Sequence, residues 1–179
     1  MRRTIVALVL AAFAFGPVSA QVKPAASTDP IVVFETVKGT VEIQFFASDA
    51  PKSVEKILAL VKSNFYRGQR IHRMTASLVQ WGDPQSRDMS RRDWWGTSGS
   101  GKIIGVAELS KKRTHRPGTV GLAHSGDARY ADSQLYIMKA ASPGLDSKHV
   151  IVGQVRVGMP VVAKLDVTDM IKAVTLKTP

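Results

Sequence analysis

The sequence contains no cysteine among its 179 residues, and this absence removes several classes of function. A disulfide framework, thiol catalysis and a lipid anchor attached to cysteine are all excluded. The four histidines are His72, His115, His124 and His149, and their spacing is not that of metal ligands. We therefore predict that the protein has no metal site.

The sequence also lacks the motifs of two large enzyme classes. No Gly-x-Ser-x-Gly nucleophile elbow is present, although Ser, His and Asp all occur. The segment from Gly96 to Lys102 begins like a phosphate-binding loop, but Ile103 stands where that loop needs Ser or Thr to bind magnesium. We therefore expect neither a serine hydrolase nor a nucleotide-binding protein, and no cofactor is implied.

A hydrophobic run of membrane-spanning length is absent as well. The apolar run from Ile5 to Phe15 is about half of the roughly 20 residues that a spanning helix needs. It follows the basic residues Arg2 and Arg3, and small residues precede Gln21, so the pattern predicts a signal peptide cleaved after Ala20. We expect a periplasmic or secreted protein that has no stable membrane insertion after cleavage.

Acidic residues are few, with 14 against 25 lysines and arginines and a net charge of +11. Cleavage after Ala20 removes Arg2 and Arg3 and no acidic residue, which lowers the charge from +11 to +9. A basic protein can bind nucleic acid or an anionic surface. The basic residues are dispersed, however, and their densest stretch, from Pro84 to Pro117, lacks interleaved aromatic residues apart from one tryptophan pair. We predict no nucleic-acid binding and keep an anionic surface as an alternative partner.

The chain after the predicted cleavage site is long enough for one well-packed domain. Residues 21–30 are rich in small residues and Pro and have no periodicity, which predicts a flexible N-terminal arm. The domain is then expected to span residues 31–179. We find no internal repeat and no second domain.

Within this domain, two segments have the pattern of helices and many have the pattern of strands. The first helix is expected near Pro51, with Asp49 as its candidate N-cap, and the second from Gly158 to Leu165. Short β-rich runs separated by glycines fill the rest, and apolar and polar residues alternate from Val41 to Phe45. Because no βαβ rhythm is present, we predict a mainly β fold, a closed antiparallel β-barrel capped by two α-helices.

Four groups of motifs then appear in a fixed order along the chain. They are Phe65-Tyr66-Arg67-Gly68 with Ile71-His72-Arg73 and Gln80-Trp81-Gly82-Asp83, then Arg116 to His124, then Ser133-Gln134-Leu135-Tyr136-Ile137, then Leu145-Asp146-Ser147-Lys148-His149. Together they resemble the cyclophilin-type peptidyl-prolyl cis-trans isomerases over nearly the whole chain after the arm. The resemblance implies an eight-stranded barrel, an isomerase without a cofactor and proline-containing polypeptides as substrates, and we expect a monomer.

The expected reaction explains which residue types are needed. Rotation about a prolyl peptide bond has a barrier of about 18–20 kcal/mol, because resonance gives the bond partial double character. Lowering that barrier requires an apolar pocket for the ring, an anchor for the backbone and a cation beside the twisted nitrogen. The resemblance assigns catalytic roles to Arg73, Gln80 and Tyr136, with Arg73 stabilising the twisted amide. It assigns substrate binding to Leu78, Val79, Ala123, His124, Gln134, Leu145 and His149.

The match to the family departs at three places. The segment from Met74 to Val79 is one residue shorter than usual and lacks a Pro-Gly turn, and Ser77 or Leu78 stands near the position of a large Phe. Tyr136 replaces a Phe and adds a hydroxyl that needs a partner. Gly144 stands where many members have a Trp that helps bind cyclosporin, so we predict weak inhibition by this drug.

These departures leave a second function open. The shortened segment favours a catalytically weak, cyclophilin-shaped binding module or chaperone for segments that contain proline. The insertion from Gln85 to Gly105 is also longer than a bare connection. Its paired Trp94 and Trp95 are expected to anchor the loop on the barrel or to form a rim that selects substrate.

Overall fold

The computed structural model describes residues 29–177, so the predicted signal peptide and nearly all of the predicted arm lie outside the described residues. Two α-helices occur in this range, α1 (Pro51–Lys62) and α2 (Met159–Lys164). The strands are β1 (Ile31–Thr36), β2 (Gly39–Phe45), β3 (Arg73–Met74), β4 (Leu78–Trp81), β5 (Thr119–Leu122), β6 (Leu135–Met138), β7 (Ile151–Val157) and β8 (Ile171–Leu176). None of the helices in residues 29–177 has the length and apolar character that crossing a membrane requires.

The eight strands form one antiparallel sheet in the order β3-β4-β6-β5-β7-β2-β1-β8. This sheet is a half-barrel and differs from the closed barrel predicted from the sequence, because no ladder in the described residues joins β3 to β8. Strand β3 has only two residues, and both pair with β4. The chain before it approaches β8 through an isolated bridge between Arg70 and Met170 and through backbone hydrogen bonds such as that from Gly68 to Ile171.

The first hairpin follows the alternation seen in the sequence. Val41, Ile43 and Phe45 are all buried, as predicted, while the residues between them are half-buried. The turn to β2 places Gly39 at a φ of +133°, a backbone conformation that L side chains rarely adopt. In the strand order this hairpin and β8 lie at the opposite end of the sheet from β3 and β4, which carry part of the predicted site.

Helix α1 packs its apolar stripe on the sheet, but its N-terminus differs from the prediction. Asp49 does not cap the helix and instead forms an ion pair with Arg113 at 2.5 Å. The carboxylate of Glu108 accepts hydrogen bonds from the backbone N–H groups of Lys52 and Ser53 at 3.0 and 2.9 Å. The free N–H groups at the start of α1 are therefore bound by a residue far along the chain, and not by the nearby Asp49 that was predicted to cap them.

Alternation along β4 separates two apolar clusters. Val79 and Trp81 point into the main core between the sheet and the helices. Leu78 belongs to a second, smaller cluster on the other face of the strand. Because adjacent strand residues point to opposite faces, this second face carries the predicted site.

Candidate active site

Three of the predicted polar residues form one line of hydrogen bonds. Arg73 and Gln80 are partners across β3 and β4, and Arg73 Nη1 donates to Gln80 Oε1 at 3.1 Å. Gln80 Nε2 donates to Gln134 Oε1 at 2.8 Å. Gln80 is buried and Arg73 is exposed, so an enclosed amide, bonded at both ends, orients a guanidinium at the surface.

Gln134 continues this line into the long insertion. Its Nε2 atom donates to the carbonyls of Gly96 and Ser98 at 3.0 and 2.7 Å. The carboxylate of Asp83 accepts from the backbone N–H groups of the same two residues at 2.7 and 3.1 Å. The loop at Gly96 is thereby held against the strand that carries Gln80.

An apolar cluster lies beside these polar residues. It consists of the buried Leu78, Tyr136 and Met138, with the partly buried Ala123 and Leu145 packed against them. Tyr136 lies opposite Gln80 across β4 and β6, so the ring is next to the Arg73–Gln80 pair. This arrangement combines an apolar surface with a fixed cation, which is the combination expected around a proline ring.

Val79 does not join this cluster. It is fully buried in the main core, although it was assigned to substrate binding. The physical reason is the two-residue period of a strand, which cannot place Leu78, Val79 and Gln80 on one face. Met138 was not identified from the sequence, although alternation from Tyr136 along β6 would have found it.

The two predicted rim histidines lie together. The ring centroids of His124 and His149 are 4.2 Å apart at an angle of 30°, and the His149 and Tyr136 rings form a T-shaped contact with centroids 6.0 Å apart. His124 Nε2 is 3.1 Å from the carbonyl oxygen of Lys148. Burial, aided by the neighbouring His124, lowers the pKa of His149. Both histidines therefore border the apolar cluster, and His149 has an environment that favours its neutral form.

A cleft of about 350 Å³ adjoins the apolar cluster. Four predicted residues line it, namely Gln80, Ala123, His124 and Gln134. The loop from Gly96 to Gly99 forms another wall, with the exposed Ile103 and Tyr130 at its rim. The insertion therefore borders the site.

The tryptophan pair of the insertion has two separate environments. Trp95 is half-buried and donates from Nε1 to the carbonyl of Asp88 at 3.1 Å. Trp94 is 63% exposed. Trp95 thus stabilises the loop internally, whereas Trp94 is largely exposed to solvent.

Comparisons with known proteins agree on one family. The family described as cyclophilin type peptidyl-prolyl cis-trans isomerase/CLD matches residues 31–178. A probable peptidyl-prolyl cis-trans isomerase of Brucella abortus is 32% identical over 169 residues, which are 92% of this chain and 85% of that protein. A peptidyl-prolyl isomerase of Cryptococcus neoformans is 28% identical over 130 residues, which are 72% of this chain. The match spans only 26% of the Cryptococcus protein.

Solved structures share the architecture. A cyclophilin type peptidyl-prolyl cis-trans isomerase from Cryptosporidium parvum has a TM-score of 0.72 at 22% identity and covers 84% of this chain and 99% of its own. The same protein was also crystallised in the presence of the dipeptide Ala-Pro, with a TM-score of 0.70. At this identity the likeness establishes the fold, a cyclophilin-like half-barrel with two helices. Since the family match also covers most of its length, the chain belongs to the cyclophilin-type peptidyl-prolyl cis-trans isomerase family.

Proposed function

We propose that this protein is a peptidyl-prolyl cis-trans isomerase that binds proline-containing polypeptides and acts without a covalent intermediate. The observation that carries the proposal is the hydrogen-bonded pair of Arg73 and Gln80 beside the apolar cluster of Leu78 and Tyr136. Family membership supports it, as does the structure of the Cryptosporidium relative obtained in the presence of Ala-Pro.

The chemistry follows from the loss of amide resonance. As the prolyl bond twists, the nitrogen becomes pyramidal and its lone pair can accept a hydrogen bond. The Arg73 guanidinium remains charged and offers several donors in a fixed plane. Because Gln80 already holds that plane, little reorganisation is needed when the lone pair develops, and such preorganised donors act mainly on the transition state.

Substrate binding is assigned to the surfaces on either side of Arg73. The proline ring would pack on Tyr136, Leu78 and Leu145. The backbone before proline would lie along Ala123 and His124, which also line the 350 Å³ cleft. The preceding residue would then face the insertion, and His149 would close the rim.

The shortened segment before β4 bears on the alternative function. Thr75 Oγ1 accepts from the backbone N–H groups of Ser77 and Leu78 at 3.2 and 3.1 Å, which forms a tight turn. This turn places Leu78 against Tyr136, and Leu78 is smaller than the Phe typical of the family. A smaller wall would grip the ring less firmly, which favours a module that binds proline segments with weak catalysis.

The cellular role depends on the predicted signal peptide. Cleavage after Ala20 would place the protein in the periplasm or medium, where it would assist the folding of exported chains as a monomer. Mass spectrometry of protein recovered from a periplasmic extract tests this. A mature N-terminus at Gln21 supports export, whereas a full-length cytoplasmic product contradicts it.

The isomerase proposal is tested with a protease-coupled assay on a proline tetrapeptide. We expect wild-type acceleration of the cis-to-trans step and a loss of about 10²–10³-fold in kcat/KM for Arg73→Ala, as for other preorganised donors. Arg156→Ala is the matched control, since this exposed arginine contacts Gln44 on β2. Peptide binding without any acceleration by the wild type would instead support the binding module.

A further inference from the structure

A buried hydrogen-bond chain lies behind Tyr136 and has no part in the reaction described above. Tyr136 Oη and His115 Nε2 are 2.8 Å apart, and His115 Nδ1 is 2.7 Å from Asp146 Oδ1. The backbone N–H of His115 donates to the same carboxylate oxygen at 2.7 Å. The His115 side chain is 0% exposed and that of Asp146 is 25% exposed. The chain therefore runs from the solvent edge to the floor of the apolar cluster.

The partners assign a direction to each bond. An ionised carboxylate only accepts, so the proton between Asp146 and His115 belongs to Nδ1 of the imidazole. In the neutral ring Nε2 is then an acceptor, and the Tyr136 hydroxyl donates to it. The hydrogen bonds from His115 lower the pKa of Asp146, which agrees with a carboxylate at the end of the chain.

The same chain connects two walls of the apolar cluster. Asp146 directly follows Leu145, and the backbone N–H of Ser142 donates to the His115 carbonyl at 2.9 Å. His115 therefore holds the Ser142–Asp146 segment, with Leu145, and also holds the Tyr136 ring.

The neighbouring strand leaves room for this arrangement. Gly121 lies opposite Tyr136 across β5 and β6, and a Cβ added there would be 2.3 Å from Tyr136 Oη. The hydroxyl thus occupies space that any other residue at position 121 would fill. Since a buried hydroxyl without a partner is unfavourable, loss of His115 or Asp146 would favour other positions of the ring.

From this geometry we propose that His115 and Asp146 are positioning residues that hold the Tyr136 ring as the floor of the proline site. The inference rests on the proposed function, since it assumes that proline packs on this ring. A Phe at this position has no hydroxyl and would need no such support. The hydrogen bonds of His115 and Asp146 therefore go together with the Tyr that replaces the usual Phe of the family.

The test is a double-mutant cycle in the isomerisation assay. Asp146→Ala should lower kcat/KM about tenfold, whereas Asp146→Asn should stay within about twofold of wild type because its amide oxygen still accepts from His115. In a Tyr136→Phe background, Asp146→Ala should add less than about twofold, because no hydroxyl remains to be oriented and the Ser142 N–H still holds the Leu145 segment on the His115 carbonyl. The exposed Asp166→Ala serves as the control for removing a carboxylate.

Several outcomes would overturn the positioning role. Equal losses of kcat/KM for Asp146→Ala in both backgrounds would indicate a general structural effect. No loss of kcat/KM in either background would show that Asp146 does not position the Tyr136 ring. Long-range ¹H–¹⁵N NMR of wild-type histidines tests the chain without any variant, and a proton on Nε2 of His115 would contradict it. An inactive wild type would overturn only the isomerase proposal. In that case the affinity for an Ala-Pro peptide, titrated by NMR on the same variants, measures the coupling between Asp146 and the Tyr136 hydroxyl.

Discussion

Replacing Gln80 by leucine removes the amide that joins Arg73 to Gln134 and keeps a side chain of similar volume. If the orientation of Arg73 is what the amide provides, the variant should fold and bind peptide but should isomerise slowly. Arg73 remains present and charged, so the change isolates orientation from charge.

The size of the effect follows from the bond that is lost. A hydrogen bond with a charged donor contributes about 1.5–3 kcal/mol. Arg73 is exposed, so water replaces part of this interaction and the lower end of the range applies. A loss of about 1.5 kcal/mol corresponds to a roughly tenfold fall in kcat/KM, which is smaller than the fall expected for Arg73→Ala.

The assay compares wild type, Gln80→Leu and Gln80→Glu at matched folding by circular dichroism. A glutamate at this position still accepts from Arg73 but cannot donate to Gln134, so its rate should lie between the other two. Wild-type activity in Gln80→Leu, together with a large loss in Arg73→Ala, would refute the orientation argument. Equal, large losses of activity in both Gln80 variants would indicate that the hydrogen bond from Gln80 to Gln134 matters more than the bond to Arg73.

Three further predictions concern stability, inhibition and packing. Burial lowers the pKa of His72 and His149, so both bind fewer protons folded than unfolded, and the free energy of unfolding should fall as pH drops below about 6.5. Urea titrations at several pH values check this, and a flat profile through that window would contradict it. Wild type lacks the Trp that helps bind cyclosporin and should be inhibited weakly. An added Cβ at Gly144 meets open space, so Gly144→Trp should fold and should be inhibited at about tenfold lower drug concentration. Unchanged inhibition of this variant would contradict the prediction. Gly121→Ala would place its Cβ 2.3 Å from Tyr136 Oη, and thermal unfolding should show a loss of about 1–3 kcal/mol together with reduced activity. An unchanged Tm would mean that the ring moves freely.

Local patterns predicted much of the framework that carries the site. The alternation from Val41 to Phe45 and the first helix follow from periodicity, which depends only on neighbouring residues, and the second helix follows from Pro160 near its start. Motif order also indicated that Arg73, Gln80 and Tyr136 belong to one region, and the structure places them on adjacent strands. Strand geometry already separates Val79 from Leu78 and Gln80 on β4, but it does not say which of the two faces is the core.

Other features could not be predicted because they depend on distant segments. Glu108 caps α1 from 55 or more positions along the chain, and Asp49 is used by Arg113 instead. The half-barrel also depends on distant segments, because β3 pairs only with β4 and no ladder in the described residues joins it to β8.

By itself, the sequence determined the β-rich character and the positions of the helices. Its motifs also indicated which residues correspond to the site of the family. Only the tertiary structure decided that the sheet is a half-barrel, that Val79 is core, and that His115 joins Tyr136 to Asp146. Periodicity reports which face a residue occupies. It cannot report which distant side chain meets it there, because that contact depends on how the intervening loops close.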